Sequence, residues 1–320
     1  MEKKFNKSLL GRLFSNLFTM SDILVSVCCS TFNHEKFIAK ALDGFLMQKI
    51  NFKIEILIND DCSQDNTVSI LNDYKKRYPD FFDITFQTEN QFSKGVKPFA
   101  QMLFPRVKGK YIALCEGDDF WTNPGKLQQQ VDFLENNPDY SMCFHKCKIV
   151  DEDNQEFDSK TFNHLEEKDY VGRELLEKWS IPTASVVFRA EYLSHILKRS
   201  KTPGYLYGDT PMFLTLLEFG KARCLADNMS AYRIHPGGIS RSASNKDMIA
   251  LYKHYQTLKK DFNGKYEDIM IKNIGLYAFG ISKNLIKKGH VLNGAKFLVI
   301  SIVYDRNTIA EFFVRKLLRP

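Results

Sequence analysis

The first half of the chain alternates short apolar runs with stretches of helical periodicity. The runs at 23–29, 54–58, 83–87 and 110–115 have the length of buried strands. Between them, apolar residues recur at intervals of three and four, as in 38–46, which predicts helices. This alternation is typical of an α/β fold with a mostly parallel central sheet flanked by helices.

In the rest of the chain, the apolar pattern predicts two more strands, at 141–150 and 184–189, and then a loop and a helix at 205–220. A helix is also expected near 98–104. After about residue 243 the apolar positions keep a helical spacing. By prediction the chain has three parts: a basic amphipathic segment at 1–20, an α/β domain at 21–242 and a helical C-terminal region at 243–320.

Composition and charge narrow the class of partner. With 320 residues, 44% hydrophobic and 26% charged, the chain has the composition of a globular protein. The formal charge of +7 comes from 45 basic and 38 acidic residues, a mixed surface that does not imply a nucleic acid partner. The basic excess is concentrated at the two ends, which suits attraction to an anionic membrane surface.

Cysteine usage and apolar runs bear on location. The seven cysteines are odd in number and scattered through apolar runs, as expected for reduced core residues. No secretory signal pattern is present, and the longest apolar stretch, Phe297–Tyr304, is too short to span a bilayer. We expect a cytoplasmic protein that contacts the inner face of the cell membrane through its basic termini. The amphipathic spacing at 3–20 fits a membrane foot and a helix packed on the body equally well.

The strongest chemical signal is the acidic cluster Glu116-Gly117-Asp118-Asp119, directly after a predicted strand. In parallel sheets, ligands bind beyond the carboxyl ends of the strands. Three carboxylates so close together repel one another unless a cation is bound, and their oxygens suit Mg²⁺ or Mn²⁺. The cluster therefore indicates a cation that bridges to a diphosphate, with a solvated acidic turn as the alternative.

A second acidic cluster, Asp60-Asp61, ends the second predicted strand. Shortly after it, Asp65, Asn66 and Thr67 precede a helix and fit a capping role, because their side chains can accept from its free N–H groups. Asp60 and Asp61 are not needed for the cap. We expect these two carboxylates to contact a ligand.

Two later motifs add a candidate base and two candidate groups for a diphosphate or metal. Asp209 follows Gly208 and precedes an apolar helix, so it can cap that helix or act as a general base. Arg233 and His235 stand two residues apart before a glycine pair. Arg can neutralise a diphosphate, and His can ligate a metal or be structural.

Zinc is a weaker alternative. Cys143, His145 and Cys147 would share one face of a regular strand. However, the chain offers no matching second ligand pair, so a zinc site is not favoured.

Five motifs follow one another along the chain: Thr31-Phe32-Asn33, Asp60-Asp61-Cys62-Ser63, Glu116-Gly117-Asp118-Asp119-Phe120-Trp121, Gly208-Asp209 and Tyr232-Arg233-Ile234-His235. Each motif is weak alone, but five in this order, the first three at strand ends, are specific. Together they resemble the family 2 glycosyltransferases of the GT-A fold, a nucleotide-diphospho-sugar transferase fold. The resemblance covers roughly residues 22–240.

The resemblance implies an inverting, metal-dependent hexosyltransferase. Its donor would be a nucleotide-sugar, usually a UDP-sugar, and its acceptor a glycan or lipid-linked hydroxyl in surface polysaccharide synthesis, such as capsule or lipopolysaccharide. Asp209 would be the catalytic base, and Asp118 and His235 would contact Mn²⁺ or Mg²⁺. The donor-binding residues would be Thr31, Phe32, Asn33, Asp60, Asp61, Glu116, Gly117, Asp119 and Arg233.

The sequence departs from the family pattern at three positions: Glu116 replaces the first aspartate of the D-x-D motif, Cys62 a frequent glycine and Gly208 a frequent glutamate. The last leaves Glu218 and Asp227 as competing bases. Two other functions stay open. A nucleotidyltransferase would normally carry a glycine-rich basic loop after the first strand, and a non-catalytic nucleotide-sugar binding module would have no reason to bring Asp209, Arg233 and His235 together.

Overall fold

The structure is a computed structural model that describes residues 23–178, 181–238 and 245–305. Its strands are β1 (Ile23–Thr31), β2 (Lys53–Asp60), β3 (Phe82–Phe86), β4 (Tyr111–Glu116), β5 (Phe120–Trp121), β6 (Tyr140–Val150), β7 (Asp169–Tyr170), β8 (Val187–Arg189) and β9 (Lys221–Arg233). Its α-helices are α1 (Ile38–Leu46), α2 (Thr67–Arg77), α3 (Lys126–Asn136), α4 (Gly172–Glu177), α5 (Leu193–Ser200), α6 (Asp209–Leu216), α7 (Asn245–Asp261), α8 (Glu267–Lys287) and α9 (Val291–Tyr304).

The strands of the described chain form one mixed sheet in the order β3-β2-β1-β4-β8-β6-β9-β5, and β7 also pairs with β9. The four strands β1 to β4 are parallel. β8 is antiparallel to β4 and β6, β9 is parallel to β6, and β5 is antiparallel to β9. The predicted α/β fold is confirmed, with a parallel first half and a mixed second half.

Two sequence predictions need correction. The strand predicted at 184–189 is shorter, because Thr183–Ser185 forms a 3₁₀ turn before β8. The helix expected near 98–104 is a π-helical turn at Pro98–Leu103 followed by a 3₁₀ turn. The long strand β9 escapes prediction because its middle, around Asp227, is polar and exposed.

The sheet is buried on both faces. One face packs against α1, α2 and α3, and the other packs against α5, α6 and the turns at 98–106. On β1, Val27 belongs to the first cluster and Cys28 to the second. Since both faces of the strand are buried, β1 is a continuous apolar run.

The helical pattern predicted after residue 243 is confirmed by α7, α8 and α9. A third apolar cluster joins α7 and α8 to the body, through residues that include Leu176, Leu214, Leu258 and Phe262. Among the described residues, no helix is long and apolar enough to cross a membrane. The predicted segment 1–20 lies outside the described residues, as does the junction near 242, so the division into three parts stays a prediction.

Candidate active site

A cavity of about 760 Å³ opens at the carboxyl ends of β1, β2 and β4. Parallel strands end at the same edge of the sheet, so residues far apart in sequence meet there. The predicted site residues on its wall are Thr31, Phe32, Asp61, Glu116, Asp118 and Asp209. The other predicted residues, Asn33, Asp60, Gly117, Asp119, Arg233 and His235, are not on this wall.

Asp118 is held by two imidazoles. Its Oδ2 lies 3.1 Å from Nε2 of His235 and 3.8 Å from Nε2 of His34. Burial raises the pKa of Asp118, but the hydrogen bond with His235 and the charges of both histidines lower it, and the net pKa lies below the usual value. Asp118 is therefore an anionic carboxylate at neutral pH. The sequence prediction missed His34, which directly follows the first motif.

Glu116 is the last residue of β4 and turns a buried oxygen toward the cavity. Burial, together with the charges of Asp118 and Asp209, raises the pKa of Glu116 to about 8. Within the described structure, its Oε2 and the Oγ1 of Thr31 have no hydrogen-bond partner. These polar atoms on the cavity wall are therefore available to a ligand.

Gly117 lets the chain after β4 approach the chain after β1. A Cβ at this position would lie 2.7 Å from Oγ1 of Thr31 and 2.9 Å from Nδ1 of His34. Any side chain there would displace one of these two groups. Gly117 thus shapes the cavity wall, although it does not line it.

The two aspartates after β2 have different partners. Asp61 accepts hydrogen bonds from the backbone N–H groups of Gln91 and Phe92, at 2.7 and 2.9 Å, and so fixes the loop that forms one side of the cavity. Asp60 accepts from the hydroxyl and N–H of Ser63 and is fully buried. Of the two, only Asp61 is placed to contact a ligand.

Cys62 adopts a left-handed backbone conformation with φ +67°. This conformation favours glycine, which explains why glycine is frequent here in the family that the motifs resemble. Asn33 is also left-handed, with φ +54°, and its side chain accepts from the N–H of Gln64. Asn33 therefore ties the β1 loop to the β2 loop and is bound within the protein.

Asp119 and Arg233 form a buried structural pair behind the cavity. Asp119 accepts from the N–H of Arg233 at 2.8 Å. The Arg233 guanidinium donates to the carbonyl groups of Asp118 and Asp151 and to the side chain of Asn154. With its donors engaged in this way, the geometry does not place Arg233 against a donor diphosphate.

Asp209 opens α6 and faces the same cavity as Asp118. Burial raises the pKa of Asp209 to about 6, although the N–H of Thr210 and the charge of Lys97 lower it. A carboxylate with this pKa is largely ionised at pH 7 and is a stronger proton acceptor than an exposed one. The competing bases lie elsewhere: Glu218 pairs with Arg199 at 2.8 Å, and Asp227 is exposed on β9.

The loop that leads to Asp209 is held at one residue, Leu206, by groups from two distant parts of the chain. The ammonium of Lys97 donates to the carbonyl of Leu206 at 3.0 Å. The N–H of Leu206 donates to Nδ1 of His254, which lies on α7 and is 2% exposed. Burial, and then the charge of Lys97, lowers the pKa of His254 to about 4, so the ring is neutral and can accept. The sequence prediction missed both residues.

The zinc alternative does not fit this geometry. Cys143 packs in the cluster on one face of the sheet, and Cys147 packs against the cluster on the other face. Register shifts next to Lys146 break the regular alternation of β6, which places the two thiols on opposite faces.

The carboxyl groups on the cavity wall are the candidate ligands for a divalent cation. No group of three or more potential protein ligands occurs in the described parts of the chain. Mg²⁺ typically binds one or two carboxylates and takes its other ligands from phosphate and water. Asp118 is anionic, and Glu116 has a buried oxygen without a partner. This donor set fits a cation that arrives with a diphosphate.

Sequence comparisons relate the chain to glycosyl transferases. A family model described as "Glycosyl transferase family 2" matches residues 26–197. An uncharacterized protein of Mycobacterium tuberculosis is 33% identical over 219 residues, 68% of this chain and 61% of that protein's length. The "UDP-Glc:alpha-D-GlcNAc-diphosphoundecaprenol beta-1,3-glucosyltransferase WfaP" of Escherichia coli is 30% identical over 112 residues, 35% of this chain and 42% of its own.

Comparisons of structure show the fold. The crystal structure of S. aureus TarS 1–349 has a TM-score of 0.60 and 15% identity, and covers 88% of this chain and 81% of that chain. TarS was also solved in complex with UDP and with UDP-GlcNAc. The mannosyltransferase PcManGT from Pyrobaculum calidifontis, in complex with GDP-Man and Mn²⁺, has a TM-score of 0.52 and 14% identity over 94% of each chain.

A pH titration of stability tests the state of His254. Because the folded pKa of about 4 lies below the ordinary histidine pKa of 6.5, the unfolded chain binds the extra proton first, and stability falls as the pH drops below about 6.5. His254→Asn keeps an acceptor for Leu206 but does not titrate. From pH 7 to pH 5, we expect the free energy of unfolding of the wild type to fall by about 2 kcal/mol more than that of the variant. Urea denaturation at both values measures this, and parallel pH curves would contradict a buried neutral ring.

Proposed function

This chain belongs to glycosyl transferase family 2, and we propose that it moves a sugar from a nucleotide-diphosphate donor, a UDP-sugar, to an acceptor hydroxyl with inversion at the anomeric carbon. The observation that carries the proposal is the meeting of Asp209 with Asp118 and Asp61 on one cavity. A module that only bound the donor would not need a buried carboxylate of raised pKa opposite the donor site. A nucleotidyltransferase would need a basic phosphate loop, which the chain after β1 is not.

In the proposed reaction, Asp61, Thr31 and Phe32 contact the nucleotide, while Glu116 and Asp118 lie at the diphosphate. Asp209 accepts the proton of the acceptor hydroxyl as that oxygen attacks the anomeric carbon. The bond from this carbon to the diphosphate oxygen breaks in the same displacement, and the nucleoside diphosphate leaves with the bonding electron pair. Lys97, beside Asp209, favours its ionised form before the proton is taken.

Mn²⁺ or Mg²⁺, held by Asp118 and by a Glu116 that would give up its proton on binding, would supply positive charge to the leaving diphosphate. The Nε2 of His235 lies within hydrogen-bond distance of the Oδ2 of Asp118. We therefore assign His235 to orienting this carboxylate instead of binding the metal directly. Asn33, Asp60, Asp119 and Arg233 fix the loops that carry the site. Their effect on donor binding would then be indirect.

For the acceptor we propose a hydroxyl of a glycan or lipid-linked saccharide, used in surface polysaccharide synthesis at the inner face of the cell membrane. The name of the Escherichia coli relative includes a diphosphoundecaprenol-linked saccharide, which supports a lipid-linked acceptor. The concentration of basic residues at both ends of the chain supports the membrane location.

Release of nucleotide from a donor panel tests the reaction class. The purified chain is incubated with UDP-, GDP- and TDP-sugars in Mn²⁺, Mg²⁺ or EDTA, and free nucleoside diphosphate is measured. We expect UDP release from one donor, abolished by EDTA. If no donor in the panel releases nucleotide and none binds by calorimetry, the proposed donor class is refuted.

Substitutions of the two cavity carboxylates separate their roles. Asp209→Ala removes the base, so we expect transfer to fall by about 10²- to 10⁴-fold with donor affinity retained. Asp118→Ala removes charge stabilisation, so we expect a loss of about 10²- to 10³-fold and weaker metal-dependent donor binding. Asp227→Ala, on the exposed part of β9, is the matched control and should keep wild-type turnover. Unchanged turnover in either cavity variant removes that residue from the mechanism.

The pH dependence of transfer should report Asp209. Since only its ionised form accepts a proton, kcat should rise with pH and level off above a midpoint near 6. Lys97→Gln can still donate to Leu206 but lacks the positive charge that lowers this pKa. We therefore expect its midpoint to move to higher pH, measured by initial rates at saturating donor and metal. A midpoint that stays in place would show that Lys97 does not act on the base electrostatically.

A further inference from the structure

The C-terminal helices α8 and α9 form an antiparallel pair with one side of α9 turned inward. The hydroxyl of Ser301 donates to the carbonyl of Gly275 at 2.8 Å, and Gly294 packs closely on Ile286. On the same helix, the ring of Phe297 packs edge-on against Tyr252 of α7. These contacts fix which side of α9 faces the protein.

The opposite side of α9 is apolar and exposed. Leu292, Val299 and Val303 have exposed fractions of 89%, 59% and 75%, and Val291 and Ile302 are exposed as well. Their spacing of three, four and seven residues places them in one stripe along the helix. An α-helix of 14 residues is about 21 Å long, so the stripe is far more than a single exposed side chain.

Lysine is the prevailing charged residue beside this stripe. From Ile269 to Tyr304 the sequence contains no acidic residue, although Asp268 precedes this stretch and Asp305 follows it. Its lysines are Lys272, Lys283, Lys287, Lys288 and Lys296. Lys296 stands four residues after Leu292 and three before Val299, at the edge of the stripe. Lys287 ends α8 and Lys288 follows it, shortly before the first turn of α9. A surface that meets this face must accept apolar side chains and balance positive charge at the same time.

We propose that this face of α9 docks on an anionic lipid bilayer, with its apolar side chains among the acyl chains and the lysines at the headgroups. Anionic lipid offers both properties at once, since each nearby lysine adds to the attraction and its long aliphatic stem lies along the apolar region. A second copy of the same face is less suitable, because it would bring lysines against lysines. The inference rests on the proposed function, in which a lipid-linked acceptor is presented at a membrane surface.

Docking at α9 would place the active site in a defined relation to the membrane. α9 packs on α8 and against Tyr252 of α7, and α7 carries His254, which holds the peptide of Leu206 near Asp209. The helix that would meet the bilayer thus packs against the helix that supports the loop of the candidate base.

Flotation of the full chain with lipid vesicles tests the docking face. One set of vesicles contains phosphatidylglycerol and phosphatidylcholine, and the other contains phosphatidylcholine only. We expect binding to the anionic set, and at least ten-fold weaker binding for the triple variant Leu292→Glu, Val299→Glu, Val303→Glu. The control, Phe81→Glu, Phe157→Glu, Val171→Glu, makes the same charge change at exposed apolar positions elsewhere and should bind within about two-fold of the wild type.

A second variant tests the charges separately. Replacing Lys287, Lys288 and Lys296 by Gln should weaken binding to the anionic vesicles by roughly five-fold per lysine and leave the melting temperature unchanged. Equal binding by the wild type and the α9 triple variant would overturn the proposal. A wild-type dimer that the triple variant converts to a monomer, with no vesicle binding, would also overturn it and assign the face to a second copy.

The vesicles contain neither donor nor acceptor, so the result does not depend on catalysis. If the wild type does not bind the vesicles but transfers sugar to a soluble acceptor, docking is refuted and the proposed function stands. If the wild type binds the vesicles but has no transferase activity, the proposed function is refuted and docking stands.

Discussion

The crowding of buried carboxyl groups on one cavity is the constraint on which the rest of this site depends. Glu116, Asp118 and Asp209 all face it, and each charge raises the free energy of the others. Desolvation and like charge are compensated in three different ways. Asp118 stays ionised through two imidazoles, Asp209 has the ammonium of Lys97 nearby, and Glu116 responds by holding a proton. At neutral pH, Glu116 therefore carries a proton while Asp118 and Asp209 are ionised, although all three are carboxylic acids.

This arrangement explains why so much of the site is scaffolding. Arg233 offers its guanidinium to backbone carbonyls and to Asn154, and Asp119 holds the N–H of Arg233. Together they fix the turn that carries Asp118 without adding a free charge to the cavity. Gly117 allows the same turn to lie against Thr31 and His34. The candidate ligand-contacting residues and the residues that fix their positions thus alternate along a few short segments.

The sequence predicted those site residues that lie at the end of a regular buried strand. Asp61, Glu116 and Asp118 lie one or two residues beyond, or at, the ends of buried apolar strands, so their meeting could be predicted from the parallel order alone. The reverse holds for Arg233, whose residue type suggested a diphosphate contact. Its true partners are carbonyl oxygens brought near by tertiary packing, which no local pattern records. Lys97 and His254 were missed for the same reason, since each acts on a peptide more than forty residues away.

The hydrogen bond between His254 and Leu206 connects the C-terminal helices to the loop of the candidate base. The family model ends at residue 197, yet the candidate base lies beyond it and is steadied by a helix that follows the entire sheet. Changes in α7 would therefore move the loop of the candidate base and leave the strand-end carboxylates, the proposed donor side, in place. Under that proposal, changes in the C-terminal helices would alter the choice of acceptor, and a comparison restricted to the sheet would not detect them.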